Sequence, residues 1–311
     1  MIKPHKLGPG STIAIVAPAG PPKQDRLSRG LRFFKDHGYK LKVYRQVRRK
    51  LGFLAGSDED RADAINQAFA DKTIDGIFAA RGGYGCTRIL KFLDFDIIKA
   101  NPKLLAGYSD LTAILLAIYK KCGLVTFHGP MTAVEFGRKP RPYTTRHFFN
   151  AIENCRSGGP IMKPDGYKLI RINGGIARGP IVGGNLALIA RMIGTGFLPS
   201  FKGKIVFFED TEEEPYRLDA YLCQLFSATD ISEAKGFVIG EMTRTEARYN
   251  HGNSWEAIDV IKDYFTRLSQ PAIFNYPCGH GKEKITIPMG IDTILNADKK
   301  ILEFMEAGVK E

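Results

Sequence analysis

Residues 103–123 read KLLAGYSDLTAILLAIYKKCG, and they pass from a short apolar run directly into a longer segment with helical apolar spacing. Residues 103–106 predict a buried strand, and residues 111–121 predict a helix that ends at Gly123. Only residues 107–110 join the two, which is a tight turn. A buried strand followed at once by a helix is the repeating step of a parallel α/β sheet.

The same alternation extends through the first half of the chain. Residues 12–17 and 74–80 are apolar runs that predict buried strands, and residues 40–44 alternate as a half-exposed strand does. Residues 24–37 and 58–70 have amphipathic, helical spacing. Apolar strands that alternate with helices imply a parallel sheet covered on both faces.

The rhythm changes after residue 139, where prolines and glycines interrupt the pattern as far as residue 179. Further strands are predicted at residues 205–208 and 236–240, helices at residues 216–226 and 255–268, and short β-like pieces after residue 277. We therefore expect an α/β domain at residues 1–150, a linker at residues 151–178 and a smaller mixed α/β domain at residues 179–311.

Composition narrows the class of protein. The chain has 311 residues, 44% of them hydrophobic, with a formal net charge of +12, and it has no apolar run of the roughly 20 residues that cross a bilayer. It has no signal-peptide pattern, and its five cysteines are scattered, which argues against disulfides and a structural zinc site. We expect a cytoplasmic protein that does not bind membranes.

The densest basic stretch is residues 40–50. A basic chain can bind nucleic acid, but no zinc-finger, RRM or similar signature accompanies this stretch. We favour a solvated basic face or an attraction for an anionic small substrate over nucleic-acid binding.

Ser109 lies in the turn between the predicted strand and helix. Ligands bind at the carboxyl ends of strands in open α/β sheets, and a serine on such a turn can present its hydroxyl as a nucleophile. The match to the nucleophile motif G-x-S-x-G is partial, because Leu111 stands in place of the second glycine. Serine and aspartate are also preferred helix N-caps, so this segment alone favours capping over catalysis.

A glycine-rich loop, Arg81-Gly82-Gly83-Tyr84-Gly85, follows the strand predicted at residues 74–80. Its glycines allow the backbone to approach a ligand and to expose N–H groups, as in an oxyanion hole or an anion-binding loop. A tight turn without further meaning is an equal alternative. The spacing is not that of a dinucleotide fingerprint.

The second half of the chain contains candidate acids and a candidate base. Glu209 and Asp210 end an apolar run, where an acid can orient a histidine. His280 is flanked by glycines, and His128, which follows a predicted strand, competes with it for the role of base. A serine, an acid and a histidine in this chain order occur in acyl-transfer hydrolases on α/β folds.

Four other histidines stand in terminal, helical or polar contexts and are weaker candidates: His5, His37, His147 and His251. No cluster of histidine, cysteine and acidic residues has the spacing of a metal site, so we expect neither a metal nor another cofactor.

Taken together, these segments resemble the LD-carboxypeptidases of murein recycling, a family that also includes the microcin C7 self-immunity hydrolases. The resemblance covers nearly the whole chain. The segments that carry it, in the family's order, are residues 13–20, 81–85, 107–113, 128–131, 183–186, 209–210, 279–281 and 287–290.

The resemblance implies a flavodoxin-like N-terminal domain, similar to class I glutamine amidotransferases, and a C-terminal swivelling β/β/α domain. It implies Ser109 as nucleophile, Glu209 as orienting acid and His280 as base. It also implies an oxyanion hole made by the backbone N–H groups of Gly83 and Asp110. The implied substrate is a murein tetrapeptide that loses its terminal D-Ala, and the implied assembly is a homodimer.

Arg81 and Tyr84 are candidates for contacts with that substrate, although Arg81 could equally have a structural partner. Two alternatives to this function remain. The chain could hydrolyse microcin-like peptidyl or aminoacyl nucleotides, or it could be a non-catalytic binding protein for a small ligand.

Overall fold

The computed structural model describes residues 1–156, 159–247 and 254–311. The chain forms two compact units. The first unit consists of Met1–Arg156, Ile285–Gly290 and Ala307–Glu311, and the second consists of Ser157–Lys284 and Ile291–Glu306. Each unit is built on a sheet of its own.

The strands in the described part of the chain alternate with helices in the first half and follow one another more closely near the end. In chain order they are β1 (Thr12–Val16), β2 (Lys40–Val43), β3 (Gly76–Ala79), β4 (Leu104–Gly107), β5 (Phe127–His128), β6 (Gly159–Ile161), β7 (Ile170–Asn173), β8 (Ile176–Asn185), β9 (Ile205–Thr211), β10 (Gly236–Thr243), β11 (Ala272–Tyr276), β12 (Ile287–Pro288), β13 (Asp292–Asn296) and β14 (Ile301–Phe304).

The α-helices of the same residues are α1 (Gln24–Asp36), α2 (Asp58–Ala70), α3 (Cys86–Ile89), α4 (Phe95–Ala100), α5 (Thr112–Cys122), α6 (Pro142–Glu153), α7 (Leu186–Arg191), α8 (Pro215–Ala228) and α9 (Ala257–Phe265). Short 3-10 turns include one at Ser109–Leu111. Within the described ranges, no helix has both the length and the apolar character needed to cross a membrane.

The sheet of the first unit has the strand order β12-β5-β4-β3-β1-β2. Strands β1 to β5 pair in parallel, and β12 pairs antiparallel to β5. Every residue of β3 and β4 is buried. Because helices cover both faces of a parallel sheet, its inner strands are apolar throughout. The parallel sheet predicted for this half of the chain is confirmed.

Helix α5 follows β4 after only four residues. Its burial is nearly complete from Thr112 to Ile118, which explains the apolar sequence of this helix. It ends at Gly123, which has a left-handed conformation with a φ of 65°, and that conformation favours glycine. The strand, turn and helix predicted at residues 103–121 are therefore confirmed.

The sheet of the second unit has the order β6-β14-β13-β8-β9-β10-β11-β7. Strands β8, β9, β10 and β11 are mutually parallel. The other four strands each pair antiparallel with a neighbour: β7 with β11, β13 with β8, β14 with β13 and β6 with β14. The four parallel strands therefore end at one edge of this sheet. The strand β9 is buried from Ile205 to Asp210.

Two parts of the chain are organised differently from the predicted ranges. Residues 151–178, predicted as a linker, contain β6, which pairs with β14, and β7, which pairs with β11. Residues 285–290 and 307–311 belong to the first unit, because β12 pairs with β5 and Lys310 forms a parallel β-bridge with His5. Pairings of two or three residues between distant segments leave no periodic signal in the sequence.

Candidate functional site

The candidate residues form two clusters, one at the carboxyl edge of the parallel strands in each unit. In the first unit, Ser109 follows β4 and the glycine-rich loop follows β3. In the second unit, Glu209 lies near the end of β9 and His280 follows β11. This edge is where open α/β sheets bind ligands.

The Ser109 turn, residues 107–111, has an unusual backbone. Ser109 is partly buried and has a φ of 64°, in the left-handed region that non-glycine residues rarely adopt. A Cβ on Gly107 would lie 2.3 Å from Cδ2 of Leu111, so the turn can close only because Gly107 has no side chain. A serine held on a sharp strand-to-helix turn is the local geometry of a nucleophile elbow.

The glycine-rich loop packs directly against this serine. A Cβ on Gly82 would lie 3.0 Å from Cβ and 3.1 Å from Oγ of Ser109. The backbone N–H of Gly20, in the loop after β1, donates to the carbonyl of Gly82 over 3.1 Å. Gly83 has a φ of 121°, which is accessible almost only to glycine. The loop thus needs its glycines both for conformation and for close approach.

Asp110 connects the Ser109 turn to the helix that follows the glycine-rich loop. Its side chain is buried, and Oδ2 accepts a hydrogen bond of 2.7 Å from the backbone N–H of Cys86, the first residue of α3. Because an acid at a helix N-terminus is stabilised by the exposed N–H groups, this bond holds the two segments together. The side chain of Asp110 therefore has a structural role, which is separate from the role of its backbone N–H as a candidate oxyanion donor.

Arg81 and Tyr84, the candidates for substrate contacts, lie on the outer side of this loop. Arg81 is exposed, and its Nη1 donates to the carbonyl of Pro21 over 3.2 Å. The side chain of Tyr84 is 43% exposed, and its ring meets that of Phe53 edge to face at 5.6 Å. Both side chains are accessible, and Arg81 also has the structural contact that the sequence left open.

Arg61, which the sequence analysis did not single out, hydrogen-bonds to the loops at the same edge of the sheet. It is fully buried on α2, and its Nη1 donates to the carbonyls of Pro18 and Gly85 over 2.6 and 2.9 Å. Its Nη2 forms an ion pair with Asp58. A signal was available, because Arg61 lies four residues before Ile65 on the apolar face of a predicted helix.

In the second unit, Glu209 and His280 form a hydrogen-bonded pair. The carboxylate of Glu209 is fully buried. Its Oε2 lies 2.7 Å from Nδ1 of His280 and also accepts from the backbone N–H of His280 over 3.2 Å. When Nδ1–H donates to the carboxylate, the neutral imidazole has its lone pair on Nε2. This is the tautomer that a general base of this kind uses.

Burial by itself would lower the pKa of His280, but the charge and the hydrogen bond of Glu209 outweigh it and raise the pKa above its ordinary value. The contact depends on Gly279, which has a φ of 89°. A Cβ at that position would lie 2.1 Å from Oε2 of Glu209. The glycine before His280 therefore makes room for the acid.

Asp210, the alternative acid, has different partners. Its Oδ1 accepts from Nδ2 of Asn185 and from the backbone N–H of Thr211, and its Oδ2 accepts from the backbone N–H of Ala187, each over 2.8 Å. Burial and the charge of Glu209 raise the pKa of Asp210 to about 7, although its three donors act in the opposite direction. The hydrogen bonds of Asp210 therefore hold β9 against the start of α7.

Two further charged residues lie close to Gly281, the residue after His280, and the sequence analysis missed both. Lys284 is buried, and its Nζ donates to the carbonyl of Gly281 over 3.2 Å. A Cβ on Gly281 would lie 1.2 Å from Oε2 of Glu241, and burial raises the pKa of the Glu241 carboxyl. Glu241 directly follows an apolar run, which is the same signal that marked Glu209.

His128, the competing base, is placed within the core of the first unit. It is 1% exposed on β5, and its ring meets that of Tyr108 at 5.8 Å. Of the weaker candidates, His37 has Nδ1 against the carbonyl of Phe33, and burial lowers the pKa of His147 to about 4. His251 lies outside the described residues.

The structure thus brings Ser109, Gly82 and Asp110 together in the first unit, and Glu209 and His280 together in the second. Among the described residues, no group of three or more histidine, cysteine and acidic side chains is placed to hold a metal ion. The chemistry that these groups offer is proton transfer and nucleophilic attack.

Comparison with known proteins gives similarity over both units. Residues 13–129 match the LD-carboxypeptidase N-terminal domain family, and residues 178–295 match the LD-carboxypeptidase C-terminal domain family. The probable murein peptide carboxypeptidase of Bacillus subtilis (strain 168) is 32% identical over 310 residues, which cover 99% of this chain and 96% of that protein.

Two further comparisons extend this similarity. The microcin C7 self-immunity protein MccF of Escherichia coli is 26% identical over 341 residues, which cover 98% of each protein. The crystal structure of a muramoyltetrapeptide carboxypeptidase from Oxalobacter formigenes superposes with a TM-score of 0.81 at 30% identity, covering 94% of this chain and 97% of that one. The predicted fold class, a flavodoxin-like domain followed by a swivelling β/β/α domain, is thereby confirmed.

Proposed function

Because this chain belongs to the LD-carboxypeptidase family, and is therefore a peptidase, we propose that it is a serine-type enzyme that releases the terminal D-Ala from murein tetrapeptides. The proposed triad consists of Ser109, Glu209 and His280. The observation that carries this proposal is the 2.7 Å contact between Nδ1 of His280 and the buried carboxylate of Glu209. A carboxylate in that position holds the imidazole in the tautomer that can accept a proton at Nε2, and it stabilises the imidazolium that forms.

In the proposed acylation step, Nε2 of His280 takes the proton from Oγ of Ser109 as Oγ attacks the carbonyl carbon of the L,D amide bond. The C–N bond then breaks, and the imidazolium returns the proton to the nitrogen of the leaving D-Ala. Water, activated by the same imidazole, hydrolyses the resulting ester. Glu209 holds the Nδ1–H tautomer and stabilises the imidazolium in both steps.

The backbone N–H groups of Gly83 and Asp110 are the proposed oxyanion donors. The support is local: Gly82 lies against Oγ of Ser109, Gly83 is its neighbour, and Asp110 directly follows the serine. Removal of one donor of this kind typically lowers turnover by about 10²–10³.

Arg81 and Tyr84 are proposed to contact the substrate, because both side chains are accessible beside the glycine-rich loop. A murein tetrapeptide has free carboxylates, which a guanidinium can bind. An Arg81→Ala variant should therefore raise KM more than it lowers kcat.

The direct test is mass spectrometry of the purified protein incubated with a murein tetrapeptide. The expected result is a product that has lost one alanine, with free D-Ala in equal amount. The matched control is the same peptide with L-Ala at its end, which should be cleaved more slowly. An unchanged tetrapeptide under conditions in which the protein is folded would contradict the proposal.

The similarity to the microcin C7 self-immunity protein supports a second candidate substrate class. The same proposed triad could hydrolyse a peptidyl or aminoacyl nucleotide, since that is also an acyl transfer. Parallel assays with the murein tetrapeptide and with an aminoacyl-sulfamoyl adenosine separate the two classes. Faster turnover of the sulfamoyl adenosine would replace the murein assignment but leave the triad in place.

We also propose that the protein acts in the cytoplasm as a homodimer. Support for the compartment comes from the five cysteines, all of which are free and three of which are buried: Cys86, Cys122 and Cys278. The dimer rests on the family alone. Sedimentation equilibrium would show a mass of twice 34.5 kDa if it forms.

A further inference from the structure

The loop that carries His280 lies against two carboxylates of the second unit. A Cβ on Gly279 would lie 2.1 Å from Oε2 of Glu209, and a Cβ on Gly281 would lie 1.2 Å from Oε2 of Glu241. Glu209 is on β9, and Glu241 is on β10, the strand between β9 and β11. Each glycine beside His280 therefore makes room for an acid from a different strand.

Lys284 is a buried cation beside the second of these contacts. It is 4% exposed, and its Nζ donates a hydrogen bond of 3.2 Å to the carbonyl of Gly281. Taking an ammonium group out of water is unfavourable unless acceptors and negative charge compensate for it. Burial raises the pKa of the Glu241 carboxyl, whereas the hydroxyl of Tyr167 and the charge of Lys284 lower it. Lys284 therefore interacts both with the backbone of the His280 loop and with the acid packed against that loop.

Several titratable groups lie around this loop, on β9, on β10, in the loop itself and in the segment before β7: Glu209, Asp210, Glu241, Cys278, Glu283, Lys284 and Tyr167. Burial lowers the pKa of His280, the charges of Glu209 and Asp210 raise it, and the charge of Lys284 lowers it. A general base must be unprotonated before it can accept a proton. The two acids thus favour the imidazolium, and the buried cation favours the neutral imidazole.

We propose that Lys284 is a positioning residue for His280, which holds the loop through the carbonyl of Gly281 and places a positive charge among the acids around the imidazole. This inference rests on the proposed role of His280 as the base. The hydrogen bond limits how far the residue after His280 can move. The ammonium group makes a second positive charge nearby less favourable, so the imidazole stays neutral and able to accept a proton.

Lys284→Met tests both parts of this role. Methionine has a similar length, and an apolar side chain in place of a buried charge often leaves stability unchanged or higher. Without the cation, the acid limb of kcat/KM for the murein tetrapeptide should move to higher pH, because the imidazolium is then more stable. The kcat on the high-pH plateau should fall about tenfold, because the loop that carries the base is held less well. A lysine that only filled space would leave the acid limb in place.

Lys284→Gln separates the charge from the hydrogen bond, since it keeps an N–H donor without the positive charge. The acid limb should again move to higher pH, but the plateau kcat should fall less than in Lys284→Met. The matched control is Lys282→Met, which removes an exposed lysine from the same loop. At about 0.15 M salt an exposed charge is largely screened, so this variant should change neither quantity. The thermal midpoint of each variant shows whether it is folded.

NMR titration of the full chain, labelled with carbon-13 at Cε1 of its histidines, tests the same inference without any substrate. His280→Gln identifies the signal of His280. The titration midpoint of that signal should rise in Lys284→Met and Lys284→Gln and stay unchanged in Lys282→Met. A chain that titrates in this way but does not cleave the tetrapeptide would refute the proposed function and support the inference about Lys284. A midpoint that is unchanged or lower in both Lys284 variants overturns the inference.

Discussion

The Ser109 turn and the Glu209–His280 pair are assembled in different ways. The turn is local: β4, the 3-10 turn and α5 are consecutive, and the unusual φ of 64° at Ser109 is imposed within five residues. The pair joins residues 71 positions apart, through the parallel pairing of β9 with β10 and of β10 with β11. Substitutions in the turn should therefore change catalysis only through Ser109. Substitutions in the pair should change it through the protonation and orientation of the His280 imidazole.

The largest effect is expected for Ser109→Ala. Loss of the proposed nucleophile should lower kcat for the murein tetrapeptide by about 10⁵ or more, with little change in the thermal midpoint, because the side chain is small and partly exposed. The matched control is Ser227→Ala, which removes an exposed hydroxyl from α8 and should leave kcat unchanged. Full activity in the Ser109 variant would show that Ser109 is not the nucleophile.

Glu209→Gln should have the next largest effect, lowering kcat by about 10⁴. It should also change the pH profile. In the unmodified chain Glu209 raises the pKa of His280 above its ordinary value, so kcat/KM should rise with pH as the imidazolium loses its proton, and the midpoint of that rise should lie above the ordinary pKa of a histidine. Without the Glu209 charge, burial dominates and lowers that pKa, so the acid limb should move to lower pH. A limb that stays in place would separate Glu209 from the titrating group.

Gly82→Ala should lower kcat by about 10², because the new methyl group would lie 3.0 Å from Cβ and 3.1 Å from Oγ of Ser109. Stability should change little, since the methyl group meets a partly exposed side chain. Gly8→Ala adds the same group at a position with nothing within 4 Å and serves as the control. If both variants keep full activity, close packing of the loop on Ser109 is not needed for catalysis.

Asp210→Asn should have the smallest effect on catalysis and a clear effect on stability. One amide nitrogen would face N–H donors that now bind a carboxylate, which should lower the free energy of unfolding by about 2 kcal/mol. Urea unfolding measures this loss, and kcat should fall by less than about tenfold. The opposite pattern, intact stability with lost activity, would make Asp210 the orienting acid in place of Glu209.

The same contrast between local and long-range contacts explains which parts of the site could be predicted from the sequence alone. The strand, turn and helix at residues 103–123 and the glycine-rich loop could be read directly, because consecutive residues determine them. The residues alone could not choose Glu209 over Asp210, since both end the same buried strand. Only their partners differ, and those partners, His280 and Asn185, come from distant segments.

The fold shows the same limit. Parallel strands such as β3 and β4 were predicted because complete burial makes them continuously apolar. Strands β6 and β12 were not assigned to their sheets, since each has only two or three residues and depends on a distant partner. For Arg61, the position on the apolar face of a predicted helix was a readable signal, but its carbonyl partners, Pro18 and Gly85, lie in loops whose course the helix pattern does not reveal.

The central claim is that Ser109, in the first unit, and the Glu209–His280 pair, in the second, act as one catalytic group. A double-mutant cycle of Ser109→Ala and His280→Ala, with kcat for the murein tetrapeptide as readout, tests it most directly. Residues that act as a unit are strongly non-additive, so the double variant should be no more than about tenfold slower than Ser109→Ala alone. Losses that multiply would contradict the claim and show that the two residues act independently.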